Sequence, residues 1–213
     1  MKLNKLPINP KHIYLITPKN TVIKQQRRDN VQYDIINLLL FFLIYGFLGF
    51  VLETTFRSIV EKKVVISRGF LTGFFCPLYG ISALAIIQIF TLSEVMIDGR
   101  LTALITATIG SIASVTFMEY VTGRTLDRIF HHKMWDYSEL PFNLHSYICL
   151  DFSLAWGIVA LILANMLHPL MEVAVYSIAY PIRSASVYFI LSALIVDGSY
   201  NMRKLYHMDT LKL

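Results

Sequence analysis

Five apolar runs, each long enough to cross a bilayer and separated by short polar connectors, decide what this chain can fold into. A hydrocarbon core about 30 Å thick takes roughly 20 apolar residues as helix, and every backbone polar group inside it must be satisfied within the protein. The runs fall at 35–56, 71–92, 101–121, 147–167 and 184–200. The expected fold is all-α: a polytopic transmembrane bundle of about five spanning helices. Charged residues make up only 15% and hydrophobic ones 55%, against about 25% charged in soluble domains. A soluble enzyme and a disordered chain are both excluded.

The stretch 168–182 holds Glu172 and two prolines, Pro169 and Pro181, and is too short to cross between its neighbours. It reads as an interfacial hairpin. Residues 1–34 carry Pro7, Pro10, Pro18 and seven Lys or Arg. They read as a flexible basic tail, too long and polar for the start of a signal peptide, followed by an uncleaved first span. The transmembrane domain then covers 35–200, and 201–213 forms a short basic tail.

Positive charge marks cytoplasmic loops. Arg57, Lys62, Lys63 and Arg68 follow span one; Arg124, Arg128 and Lys133 follow span three; Arg203, Lys204 and Lys212 follow span five. The other two loops carry only Arg100 and Arg183. Loops one and three and the C-terminus are therefore expected inside. Five crossings put the basic N-terminal tail outside, against its charge, unless span one crosses incompletely. The net charge of +5 orients helices in an anionic bilayer, and a nucleic-acid partner is not expected.

An ionisable side chain within a span is costly and by default marks a pathway or a site. Glu53, Glu119, Asp151 and Asp197 all fall near the cytoplasmic ends of their spans, so one acidic layer is expected. Gly46 and Gly49 share the Glu53 face of span one, leaving room beside the carboxylate for a helix or a ligand. The bland alternative is local pairing, as of Glu53 with Arg57 one turn on.

Cys76 and Cys149 form no CxxC pair and read as packing residues. His131, His132 and His145 lack the spacing of metal ligands, so no metal is expected. Trp135, Tyr137 and Phe142 read as interfacial belt residues. No phosphate-binding GxxxxGK[ST] occurs, so no cofactor is expected and any ATPase must be a separate subunit.

Several short motifs occur in order: Ser67-Arg68-Gly69-Phe70-Leu71, Cys76-Pro77-Leu78-Tyr79-Gly80, Glu119-Tyr120-Val121-Thr122-Gly123, Trp135-Asp136-Tyr137-Ser138 and Pro141-Phe142-Asn143-Leu144. Over about residues 38 to 160 the chain resembles the bacterial membrane protein family labelled Putative ABC-transporter type IV. Matching positions are Glu53, Arg68, Gly69, Pro77, Tyr79, Gly80, Glu119, Gly123, Trp135, Asp136, Tyr137 and Asn143, together with the pair Trp156-Gly157. The chain departs from the family at Ser67, Phe74 and Ser146, where the family tends to Asn, Pro and Gly. The resemblance implies a permease-like, multi-pass protein of the bacterial inner membrane.

Three readings follow. In the first, the chain is a transporter membrane subunit whose acidic cluster, with Arg68 and Arg124 nearby, binds a polar or cationic solute or a proton. The second is a membrane-embedded enzyme acting on a lipid headgroup, and the third a non-catalytic assembly or sensor protein. The first is preferred, so the expectation leans away from an enzyme. The bilayer is the expected environment, and a separate ATP-binding subunit and self-association both remain open as partners.

Overall fold

The computed structural model describes residues 33–64, 73–131 and 133–210. Among these, helices α1 (Ile35–Val60), α2 (Pro77–Met96) and α3 (Arg100–Phe130) precede a short antiparallel ribbon of β1 (Asn143–Leu144) and β2 (Ile148–Cys149). Helix α4 (Leu150–Ile162) then passes through a π turn (Leu163–Leu167) into α5 (His168–Ser177), and α6 (Tyr180–Thr210) closes the order. Five helical segments are long and apolar enough to span a membrane: Ile35–Val60, Pro77–Met96, Arg100–Ile129, Leu150–Ser177 and Tyr180–Lys204. The chain is a multi-pass membrane protein.

Helix α2 packs between α1 and α3, α3 packs on α4, and α6 lies against α1. Phe41, Ile86, Val115 and Val187 are fully buried among them. Large apolar side chains such as Ile109, Phe117, Ile158 and Phe189 point outward, as lipid-facing residues must when the solvent is hydrocarbon.

Several boundaries differ from the sequence reading: α3 runs on to Phe130, span four begins at Leu150 after β2 rather than at 147, and α6 covers Tyr180–Thr210 rather than 184–200. Span two was expected from residue 71, but α2 starts at Pro77 after an extended Cys76. Proline fits the first helical turn and disfavours helix in the residue before it, which sets that start. Residues 73–76 instead lie along α1: the Cys76 N–H donates to the Gly46 carbonyl at 3.0 Å, and Phe75 is buried over Gly46. Residues 71 and 72 lie outside the described residues.

The stretch 168–182 does turn back on itself, but its arms belong to the spans. Residues 168–177 continue span four as helix, 178–179 make the turn, and span five starts at Tyr180. Sequence reading placed a break here because the stretch is too short to cross and holds Glu172, Pro169 and Pro181. The π turn just before Pro169 absorbs the ring and the missing N–H without ending the helix.

Candidate functional site

Glu53 and Glu119 stand at corresponding places on parallel helices. Glu53 is 18 residues past Ile35 and Glu119 is 19 past Arg100, each about 27 to 29 Å along at 1.5 Å per residue. Helix α2 enters between them. Gly49 has no side chain, so Tyr79 packs directly on the α1 backbone, and its hydroxyl donates to Glu53 Oε2 at 2.5 Å. The Tyr79 ring lies 5.4 Å from the Trp156 ring of α4, whose side chain stands near the Glu119 carboxyl.

Glu119 is only 7% exposed. Its Oε2, and Oγ1 of Thr116 one turn earlier on the same helix, are buried and have no hydrogen-bond partner among the described residues. Buried polar atoms are nearly always paired, so two orphan oxygens a turn apart call for an occupant such as a proton, a water or a cation.

The connector between α3 and α4 folds over this layer. Tyr137 stacks on Phe152 at 4.9 Å, and Phe152 meets Phe56 edge-on at 5.7 Å. Burial, then the nearby Glu119 and Glu53 carboxylates, pushes the Tyr137 phenol above its ordinary range. Other motif residues build the connector. Trp135 covers Gly123 and donates from Nε1 to the Tyr147 carbonyl at 2.8 Å. The Asn143 amide donates to the Leu140 carbonyl at 2.7 Å, and Asp136 accepts the Ser138 N–H at 2.9 Å. The Ser138 backbone, the Ser138 hydroxyl and Lys133 hold the Asp136 carboxyl below its ordinary range. Thus Trp135 and Tyr137, expected as belt residues, turn inward, whereas Phe142 is 82% exposed. Pro77 and Gly80 shape the start of α2, where Gly80 meets the Phe42 backbone.

The other expected site residues lie apart from this pair. Asp151 is exposed in the first turn of α4, about 200° around the helix from buried Ser153. There its charge complements the helix dipole. Asp197 accepts from the Gly73 N–H at 3.4 Å and from the Asn201 amide at 3.2 Å. It holds the segment leading into α2. Of the expected layer of four, Glu53 and Glu119 approach one another around Tyr79, Asp197 bonds the segment leading into α2, and Asp151 is exposed. Which way an acid faces depends on helix rotation, and the run of apolar residues does not report it.

Arg124 is exposed, donates to the Tyr120 hydroxyl at 3.1 Å and lies over that ring. Arg57 pairs with Glu61 at 3.7 Å, and Glu53 turns instead to Tyr79. Arg68 and Gly69 lie outside the described residues. Among the described residues, no group of three His, Cys, Asp or Glu side chains comes together to hold a metal. Trp156 is the residue whose place sequence reasoning undervalued, since only its match to the family motif pointed to it.

The fold is that of a multi-pass membrane protein, with Glu119 buried and Glu53 half-buried in its bundle. The family model described as Putative ABC-transporter type IV matches residues 40–202, and the chain belongs to that family. No curated protein and no solved structure gives a significant match.

Proposed function

We propose that the chain is the membrane subunit of a bacterial inner-membrane transporter, in which Glu119, assisted by Glu53, binds a proton or a small cationic solute. The observation that carries this reading is the orphan Oε2 of Glu119 beside the orphan Oγ1 of Thr116. An isolated carboxylate buried in apolar surroundings costs several kcal/mol, so it is neutral or it holds a positive charge. Trp156 stands near the Glu119 carboxyl, and Oε2 is left for the ligand. Tyr79 steadies Glu53 while leaving its other oxygen available. Tyr137 roofs the pair, so movement of the connector opens or closes access from that end. Energy from ATP requires a separate ATP-binding subunit, since this chain lacks the phosphate-binding loop.

The test is transient current from proteoliposomes on a solid-supported membrane after a jump in H⁺, Na⁺ or K⁺. Wild type should respond to one of these ions, and Glu119→Gln should lose the response while still inserting. Wild-type currents in both Glu119→Gln and Glu53→Gln would reject the reading, as would a wild type silent to all three ions.

A further inference from the structure

A second ionisable group lies deeper along α1. Tyr45 stands eight residues before Glu53, about 12 Å away along the helix axis. Its hydroxyl and His168 Nδ1 share a 2.7 Å hydrogen bond. Tyr45 is 3% exposed and His168 6%. On its other side, His168 Nε2 lies 3.8 Å from Glu172 Oε1 on the next turn of α5. Phe41 closes the ring edge-on at 5.0 Å.

The backbone is adapted to place this histidine. The buried positions of α4 are Ser153, Gly157 and Ala160, followed by Leu163. The next buried positions are His168 and Val175. Steps of three and four are regular helix; the step of five from Leu163 to His168 is the π turn. A regular helix would put residue 167 in the bundle and turn His168 away. Single-turn π insertions of this kind occur often at functional sites.

We propose that Tyr45, His168 and Glu172 form a second proton-binding site, which takes a proton between the imidazole and the carboxylate and reverses the tyrosine hydrogen bond as it does so. In the neutral state Tyr45 donates to Nδ1, so Nε2 carries the ring hydrogen and faces Glu172. When one proton is added, both ring nitrogens become donors. Nδ1–H then donates to the Tyr45 oxygen, the tyrosine hydrogen rotates away, and the new charge is offset by Glu172. A single imidazole with a single carboxylate is too few ligands for a zinc-type site, but enough to share a proton.

Several described groups set the local field. Tyr45 comes from α1, Glu172 and Tyr176 from α5. Arg183 of α6 lies 5.3 Å over the Tyr176 ring and donates to Asn37 Oδ1 at 2.5 Å. Helix α2, which packs on the π turn, contributes the exposed Glu94. Tyr45 bonds the ring through Nδ1, and Glu172 lies 3.8 Å from Nε2.

The test is ¹⁵N NMR of the full chain with labelled histidine in lipid nanodiscs between about pH 4 and 9, a range that brackets ordinary histidine. His168→Asn identifies the resonance. The wild-type His168 signal should start as the Nε2–H tautomer and become fully protonated as pH falls. Glu172→Gln should lower the midpoint by about one unit or more. Tyr45→Phe keeps the ring and should shift the midpoint and erase the tautomer preference, which decides the matter if Glu172→Gln fails to fold. A signal that stays neutral throughout, or one with the same midpoint in both variants, would overturn the proposal. Glu119→Gln should leave this titration unchanged, so the outcome is separable from that of the Glu119 site.

Discussion

Replacing Gly49 with alanine tests how the carboxylate layer is assembled. A Cβ at Gly49 would overlap Cβ and the ring of Tyr79. Carbon atoms rest at about 3.5 to 4 Å, so α1 and α2 must part by more than about 1 Å. Tyr79 Cβ is fixed to the α2 backbone, so a rotamer change gives no relief. Overpacking of this kind costs about 1 to 3 kcal/mol. The displacement also pulls the Tyr79 hydroxyl off Glu53, worth about 0.6 to 1.7 kcal/mol for hydrogen bonds within membrane bundles. The expected loss is therefore about 2 to 5 kcal/mol, read by reversible unfolding in mixed detergent and SDS micelles. Tyr79→Phe isolates the hydrogen bond and should lose only about 0.6 to 1.7 kcal/mol. A Gly49→Ala protein within about 0.5 kcal/mol of wild type, the range of an inconsequential surface change, would refute this contact.

Gly80→Ala should be destabilised for a related reason, since its Cβ would stand 2.7 Å from the Phe42 carbonyl oxygen, which cannot move aside alone; the same unfolding assay applies. Ser146 sits at φ +66, where glycine is at ease, so Ser146→Gly should stabilise the connector, by up to about 1 kcal/mol, seen as slower amide exchange in 133–149. Trp135→Phe leaves the Tyr147 carbonyl without its indole donor and should loosen the roof, raising protease cleavage in the connector. Asp136 has a depressed carboxyl value in the fold, so its contribution is present at neutral pH and lost as pH falls through that lowered value; its amide contact to Ser138, followed by NMR, should persist below the pH at which an ordinary aspartate protonates.

Much of the architecture was legible because hydrocarbon allows so few backbone solutions. The five apolar runs named five spans, and the cost of burying charge pointed to four acids, Glu53, Glu119, Asp151 and Asp197, without separating them. Rotation of each helix about its axis was not legible. Helix phase leaves Asp151 exposed, and Asp197 bonds Gly73 and Asn201 instead. The continuity of span four through the π turn was hidden, because Glu172, Pro169 and Pro181 in a short stretch read as a break. Tyr45 and His168 are 123 positions apart, and no local spacing could pair them. Ser146 shows the converse: its difference from the family's glycine was visible as letters, but only the positive φ supplies the reason.

The central claim is that the free oxygen of Glu119 awaits a proton or a cation within an apolar layer. Labelling with a hydrophobic carbodiimide, which attacks protonated carboxyls in apolar surroundings, followed by peptide mass spectrometry, tests it most directly. The account predicts adducts at Glu119 ahead of exposed Asp151, with labelling slowed by the ion that evokes current in proteoliposomes. Adducts absent from Glu119, or present at a rate indifferent to every ion and to pH, would contradict it.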